Sequence, residues 1–290
     1  MERLVKMEKR KADMWLTEYQ TPDLRLGLRM KSVLRNLQTP YQHLLVVDTE
    51  QYGRTLVLDG AIQLTEKDEF TYHEMMVHVA MCSHPEPSDV LVIGGGDGGS
   101  IREILRHDSL RKAVLVDIDE EVIKASREFF PGVSCGLGDS RVQVKSMDAL
   151  EFIKGRESCF DVIVVDSTDP VDFAEGLFRE PFYRDVFNAL REDGMMVAQT
   201  ESPFAEPRLL REAVAEMKKV FPLVKVFWGA MPTYPTGMWT YTIGSKTRDP
   251  ESTLREAPGG TKYYTGAIHK AAFALPPFVV ELLEGEGDSC

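Results

Sequence analysis

Two acids at the end of an apolar run set the first chemical question. Asp161-Val-Ile-Val-Val-Asp166-Ser-Thr-Asp169-Pro170 reads as a strand that carries Asp166 and Asp169 at its C-terminal end. Paired carboxylates there can hold a cationic amine, and one of them can take its proton. Turn capping is one competing reading. Metal binding is another, but it needs oxygen ligands converging from several elements, and no phosphate site accompanies these acids. Glu201 follows the next strand and adds an acid to the same edge. Tyr72, Tyr234, Trp239 and Trp15 could wall a groove for a flexible aliphatic cation, since aromatic faces cover methylenes and attract ammonium groups. Each is equally a common core residue.

A second constellation surrounds a glycine loop. Val90-Leu91-Val92-Ile93 runs into Gly94-Gly95-Gly96-Asp97-Gly98-Gly99 and then into a helical pattern. Glycines let the backbone turn sharply and approach a ligand without Cβ clashes. Asp117 ends the next strand, where a carboxylate can accept hydrogen bonds from both ribose hydroxyls. Asp148 lies just past the third strand and could accept from an adenine amino group, with the Ala149 amide alongside. Both acids also stand where a helix N-cap would. Asp97, inside the loop, would repel a pyrophosphate and welcome a cation. That favours a sulfonium- or amine-bearing adenosine over NAD or ATP. His73 and His78 imitate a zinc-protease helix, but they are five apart. At ~100° per residue their rings point roughly 140° apart, which excludes a shared metal on that helix.

These residues need a scaffold, and the chain divides near residue 66. Before it, Met14–Tyr19, Leu24–Leu37, His43–Asp48, Thr55–Leu58 and Ala61–Leu64 read as strands separated by turn signals such as Asp59-Gly60. Residues 1–65 are thus expected to form a small antiparallel β domain, and residues 66–290 the catalytic domain. A helix is predicted from Asp68 to Met81. Beyond Asp89, strands Val90–Ile93, Ala113–Val116, Val142–Val144, Val162–Val165 and Met195–Ala198 alternate with helices Ser100–Arg106, Glu120–Phe129, Ala149–Lys154, Phe182–Leu190 and Arg208–Val220. Two more strands follow, Val224–Trp228 and Trp239–Gly244. That alternation predicts an α/β fold with a parallel, doubly wound sheet and a ligand edge at the strand C-termini.

The 290 residues carry 34 basic and 46 acidic side chains, a formal charge of −12. Such a chain is poorly suited to nucleic acid or anionic membranes and compatible with a cationic small substrate. No apolar run approaches the ~18 residues of a membrane span. Met1 to Asp13 is dense in charge, unlike a signal peptide. Cys82, Cys135, Cys159 and Cys290 form no close pair, so neither a zinc site nor a disulfide framework is expected, and a reducing cytoplasm is.

With these residues in place, the chain resembles the polyamine aminopropyltransferases, bacterial spermidine synthases in particular. The resemblance runs from about Trp15 to Pro276. It rests on Leu58-Asp59-Gly60-Ala61-Ile62-Gln63-Leu64-Thr65-Glu66, Asp68-Glu69-Phe70-x-Tyr72-His73-Glu74-Met75, the Gly94–Gly99 loop, Asp166–Pro170, Pro232-Thr233-Tyr234-Pro235-x-Gly237, and the stretch from Lys262-Tyr263-Tyr264 to Ala274-Leu275-Pro276. It implies a methyltransferase-like Rossmann domain and a homodimer or homotetramer. It also implies transfer of an aminopropyl group from decarboxylated S-adenosylmethionine to putrescine, giving spermidine and methylthioadenosine, with the donor a co-substrate and no cofactor or metal. By the same resemblance Gln42, Asp97, Asp117, Asp148 and Ala149 hold the donor. Tyr72, His73, Asp97, Asp166, Asp169, Gln199, Glu201 and Tyr234 line the amine groove, and Asp166 is the general base. Two departures stand out: Asp117 replaces a usual Glu, and Asp172-Phe173 replaces a usual Gly-Pro pair that meets the nucleoside. The alternatives are another acceptor (cadaverine, agmatine or spermidine), an S-adenosylmethionine methyltransferase, and a non-catalytic sensor.

Overall fold

The structure, a computed structural model, describes residues 13–167 and 176–285. Strands β1 (Met14–Thr21), β2 (Leu24–Gln38), β3 (His43–Thr49), β4 (Gly53–Leu58) and β5 (Ala61–Thr65) pair in chain order into one antiparallel sheet. The Asp59-Gly60 hairpin takes positive φ at both residues, 47° and 88°. Such a two-residue turn matches the twist of the strands it joins. Leu44, Val46, Leu56 and Leu64 point from this sheet onto Val122 and Ala125 of a helix in the next part of the chain.

Helix α1 (Glu69–Ser83) follows directly, and Phe70 is its only residue that is not buried. A helix with no solvated face belongs in an interior, and its buried polar side chains are paired there, His73 with Glu69 and His78 with Glu103. It packs on the second sheet, which has seven strands. These are β6 (Asp89–Gly94), β7 (Lys112–Asp117), β8 (Val142–Ser146), β9 (Phe160–Asp166), β10 (Leu190–Gln199), β11 (Leu223–Ala230) and β12 (Met238–Ser245). Their spatial order is β11-β12-β10-β9-β6-β7-β8. The intervening helices are α2 (Gly99–Ile104), α3 (Glu120–Phe129), α4 (Ala149–Ile153), α5 (Glu180–Ala189) and α6 (Pro207–Lys218), followed by α7 (Gly266–Ala272) and α8 (Pro277–Glu284). Consecutive strand residues face opposite sides. Val92 and Val164 therefore join Met75 and Met76 of α1, while Leu91 and Ile163 join Phe182 of α5. Burial on both faces explains why the strand sequences are continuous apolar runs.

The sheet departs from the all-parallel expectation at one end. Strand β12 is antiparallel to both β10 and β11. The β11–β12 connection, residues 231–237, is shorter than the dozen or more residues that a parallel crossover requires. Helices α7 and α8 were not anticipated either. Their signals are local: the Thr265 side chain caps α7 by accepting from the Ile268 N–H, and Pro277 opens α8. No single helix among the described residues is long and apolar enough to cross a membrane.

Met75 is fully buried between α1 and the sheet. Met75→Ala should therefore cost about 2–5 kcal/mol of stability, read as a lower denaturant midpoint.

Candidate active site

The strand order reverses between β6 and β9: the chain winds outward through β7 and β8, then returns to β9 on the other side of β6. Ligands of open α/β sheets bind at such a point, beyond the strand C-termini. Here Gly94 of β6 pairs with Asp166 of β9, and the Gly95 N–H donates to the Asp166 carbonyl at 2.8 Å. The glycine loop and the acid that ends β9 are thus adjacent by register. Gly94 sits at a φ of 76°, and a methyl group there would strike the Asp166 backbone. Gly99 faces the His73 ring too closely to leave room for a Cβ. At these positions the glycines serve close packing within the protein as well as any approach of a ligand.

Two chambers open here. The wide one spans about 830 Å³ and the narrow one about 570 Å³, open solvent at their mouths included, and both are bordered by Gln63, Asp97 and Ser167. Leu56, Leu58, Ile93, Val116 and Leu150 make the wide chamber apolar, with Gln42, Asp117, Asp148 and Ala149 as its polar points. Asp117 accepts from the N–H groups of Gly96 and Asp119, at 2.9 Å and 2.8 Å. Burial raises its carboxyl to about 6, and the charges of Asp119 and Asp97 add to the rise. Asp117 is not the cap of α3; Asp119 is, accepting from the Glu121 N–H. Asp119 also accepts from the Gln42 amide at 2.9 Å and the Thr39 hydroxyl at 2.7 Å, tying the N-terminal sheet to the rim. Asp148 caps α4 through the Leu150 N–H and lines the chamber as well.

The narrow chamber is acidic and aromatic. Tyr72, His73, Asp97, Asp166, Gln199, Glu201, Tyr234 and Trp239 all line it. Asp166 accepts from the Tyr72 hydroxyl at 2.7 Å and the Ser100 hydroxyl at 2.6 Å. Its carboxyl lies above the ordinary range because it is buried and because Asp97 is close; His73, Ser100 and Tyr72 oppose the rise. Tyr234 makes no hydrogen bond to Asp166. Its hydroxyl donates to the Gln63 carbonyl at 2.5 Å, and its ring packs edge-on against Trp239. The Trp239 Nε1–H, though buried, has no hydrogen-bond partner among the described residues. Glu201 takes a φ of 67°. Its N–H donates to Gln199, whose amide donates to the Ser167 carbonyl.

Trp15 is a correction: it stands 55% exposed on the N-terminal sheet, away from both chambers. Its strand alternates, and Leu16, not Trp15, takes an inward position. Asp169, with Pro170, Asp172 and Phe173, lies outside the described residues. Glu18 was missed. It reaches the narrow chamber from β1, 5% exposed, and accepts from the Ile62 N–H at 2.8 Å. The signal is a lone acid in an alternating strand, which usually means a solvated face. Only the docking of the two sheets turns it inward.

His73, Asp97 and Asp166 each bring a possible ligand atom within 4.8 Å of the others. His73, however, lies between two carboxylates. Burial would lower its pKa, but Asp97 and Glu69 outweigh that and hold it well above the ordinary histidine value. In its protonated form the ring offers no lone pair, and a metal would first have to displace a ring proton. His78 engages Glu103 and His107 and shares no partner with His73, in line with the divergent directions read from their spacing.

Gly99→Ala should push the His73 ring aside and cost about 1–3 kcal/mol in a denaturant titration. A fully stable variant would show that the loop and ring have room to separate.

Comparison with known proteins accords with this geometry. Residues 69–256 match the spermine/spermidine synthase domain, and residues 14–66 match the spermidine synthase tetramerisation domain. The polyamine aminopropyltransferase of Moorella thermoacetica is 52% identical over 93% of this chain and 96% of its own. That of Bacillus subtilis is 47% identical over 94% and 100%. Among solved structures, a spermidine synthase in complex with the transition-state analogue AdoDATO superposes with a TM-score of 0.91 at 40% identity, covering 96% of this chain and 98% of that one. The spermidine synthase of Thermotoga maritima gives a TM-score of 0.88 at 38% identity, with the same coverage. The chain belongs to the spermine/spermidine synthase family and is a transferase of the aminopropyltransferase class.

Proposed function

We propose, from that membership and from the two joined chambers, that the enzyme makes spermidine by moving an aminopropyl group from decarboxylated S-adenosylmethionine to putrescine. The observation that carries the reading is the shared border at Asp97. An apolar chamber fit for a nucleoside meets an acidic, aromatic one fit for a thin cation, with an acid at the seam. In this reading Gln42, Asp117, Asp148 and Ala149 hold methylthioadenosine, with Asp117 accepting from the ribose. Asp97 takes the ammonium of the aminopropyl tail.

Putrescine lies in the narrow chamber among Tyr72, Tyr234 and Trp239. Gln199, Glu201, Glu18 and Asp169 serve its far ammonium. Its near nitrogen must lose a proton before its lone pair can attack the carbon next to sulfur. As the new C–N bond forms, the C–S bond breaks and its electrons neutralise the sulfonium. Methylthioadenosine leaves, and the proton passes to Asp166. A raised carboxyl suits that task, since proton affinity and basicity rise together. No metal or cofactor is required, because the sulfonium already activates the carbon. The N-terminal sheet exposes Met14, Trp15, Tyr19 and Leu24, which favours a homo-oligomer assembled through it.

The deciding experiment offers decarboxylated S-adenosylmethionine with putrescine, cadaverine, agmatine or spermidine and follows both products. Methylthioadenosine and spermidine, fastest with putrescine, are expected. Release of S-adenosylhomocysteine from S-adenosylmethionine would favour a methyltransferase instead. Asp166→Asn should fold and lose ~10²–10⁴-fold in kcat. Near-normal turnover would remove Asp166 from the reaction. Methylthioadenosine should bind more weakly as pH falls through about 6, because protonation removes the Asp117 charge and turns one of its accepting oxygens into a donor. Calorimetry on the wild type and on Asp117→Asn, which should lack that dependence, checks the sign.

A further inference from the structure

His73 lies beneath the seam of the two chambers with an acid on each side. Its Nδ1 is 2.7 Å from Glu69 Oε2, and its Nε2 is 3.3 Å from Asp97 Oδ1. An ionised carboxylate only accepts, and a neutral imidazole carries a single N–H. With a hydrogen bond to Glu69 at Nδ1 and Asp97 at ion-pair distance from Nε2, the surroundings favour a ring protonated on both nitrogens. The same Asp97 oxygen takes the Gly99 N–H at 2.6 Å, so the two internal contacts fall on Oδ1 and Oδ2 is the oxygen offered to a ligand.

Glu69 is held in turn. Arg102 of α2 grips both its oxygens, at 2.9 Å and 2.8 Å, and Glu103 bonds Arg102 at 2.7 Å. The charged and titratable groups around His73 are thus Glu69 and Tyr72 on α1, Asp97 on the loop, Arg102 on α2 and Asp166 on β9. Arg106 also bonds Glu103 at 2.7 Å, so two guanidiniums balance the two acids there, and Glu69 is the carboxylate in direct contact with the ring behind the chambers.

We propose that Glu69 is a positioning residue for the reaction: it keeps His73 in the imidazolium form, and that ring fixes Asp97 as a carboxylate at the seam. This rests on the proposed aminopropyl transfer. Without the imidazolium, Asp97 and Asp166 would be two close acids competing for one proton. Asp166 could not then be relied on as the base, nor Asp97 as the anion facing the donor's ammonium. With it, the pair is asymmetric: Asp97 lies below the ordinary carboxyl range and Asp166 above it. Environments that push two acids apart are how a site assigns their separate roles.

The test is Glu69→Gln, which keeps the side chain's shape and removes its charge. Histidine ring NMR over a pH series reads the His73 charge directly; the chain has six histidines, and His73→Gln identifies the signal. In wild type the ring should remain charged from about pH 6 to about pH 9, and in Glu69→Gln it should titrate inside that window. Turnover should then gain a descending alkaline limb, lowering the ratio of kcat at about pH 9 to kcat at about pH 7 at least tenfold relative to wild type. An unchanged His73 titration overturns the proposal. So does a uniform loss of kcat with the pH profile unchanged, the mark of a merely structural role. If Glu69→Gln fails to fold, Glu69→Asp read by NMR alone decides: drawing the charge back from Nδ1 should lower the His73 titration toward the same window, and no movement overturns the proposal. Normal titrations without aminopropyl transfer would instead sink the reaction and leave the charged ring in place.

Discussion

The pairing of β6 with β9 fixes most of the site's geometry. Gly94 stands opposite Asp166, and the next residue's N–H bonds the Asp166 carbonyl. A slip by one residue in this pairing would turn Asp166 to the other face of the sheet. It would also break the contact between the glycine loop and His73. The apolar residues of both strands enforce the register, because each face is buried under helices. The chemistry is therefore located by packing that lies below it.

The N-terminal sheet contributes to the site as well as covering it. Glu18 enters the narrow chamber, and Gln42 and Leu58 border the wide one. Asp119 joins the two parts at the rim by capping α3 while accepting from Gln42 and Thr39. Asp68 plays a similar part farther round: it accepts from the Thr65 hydroxyl at 2.5 Å and from Thr233 at 2.9 Å. Buried acids are costly unless hydrogen-bonded. These two are well supplied with donors, which suits a role in holding segments together.

The order of element types exposed the fold more than any single period, since short apolar runs and helical stretches succeed one another along the chain. Strands of β-branched residues alternated with helical stretches, and the Asp59-Gly60 hairpin announced itself by residue type. The direction of β12 was less legible, since an isolated apolar run has no polarity until its connection length is considered. That Asp97, Asp117, Asp148, Asp166 and Glu201 would gather at the chambers was legible because topology alone puts strand C-termini on one edge. Glu18 could not, because its place depends on how two sheets dock. Trp15 failed for the related reason that aromatic type says nothing of which strand face it occupies. Asp119 was hidden by Asp117: two acids bracketing a single residue divide capping and cleft lining between them, and only backbone geometry says which does which.

The acid field of the narrow chamber cuts both ways on the proposed reaction. Asp97, Asp166, Glu201 and Glu18 border it, together with His73, whose pKa the flanking acids Asp97 and Glu69 raise. Such a wall draws in a polyamine and raises its local concentration. The same field also stabilises the ammonium over the free amine, opposing the deprotonation on which attack depends. A base of ordinary carboxyl acidity would be a weak acceptor for that proton. Burial and the nearby Asp97 raise Asp166, while the Tyr72 and Ser100 hydroxyls hold its two oxygens in place. The charge that makes the amine hard to deprotonate thus also strengthens the group that must deprotonate it. A site built this way needs its negative charges unequal, so that one remains a fixed anion while the other changes its protonation during turnover.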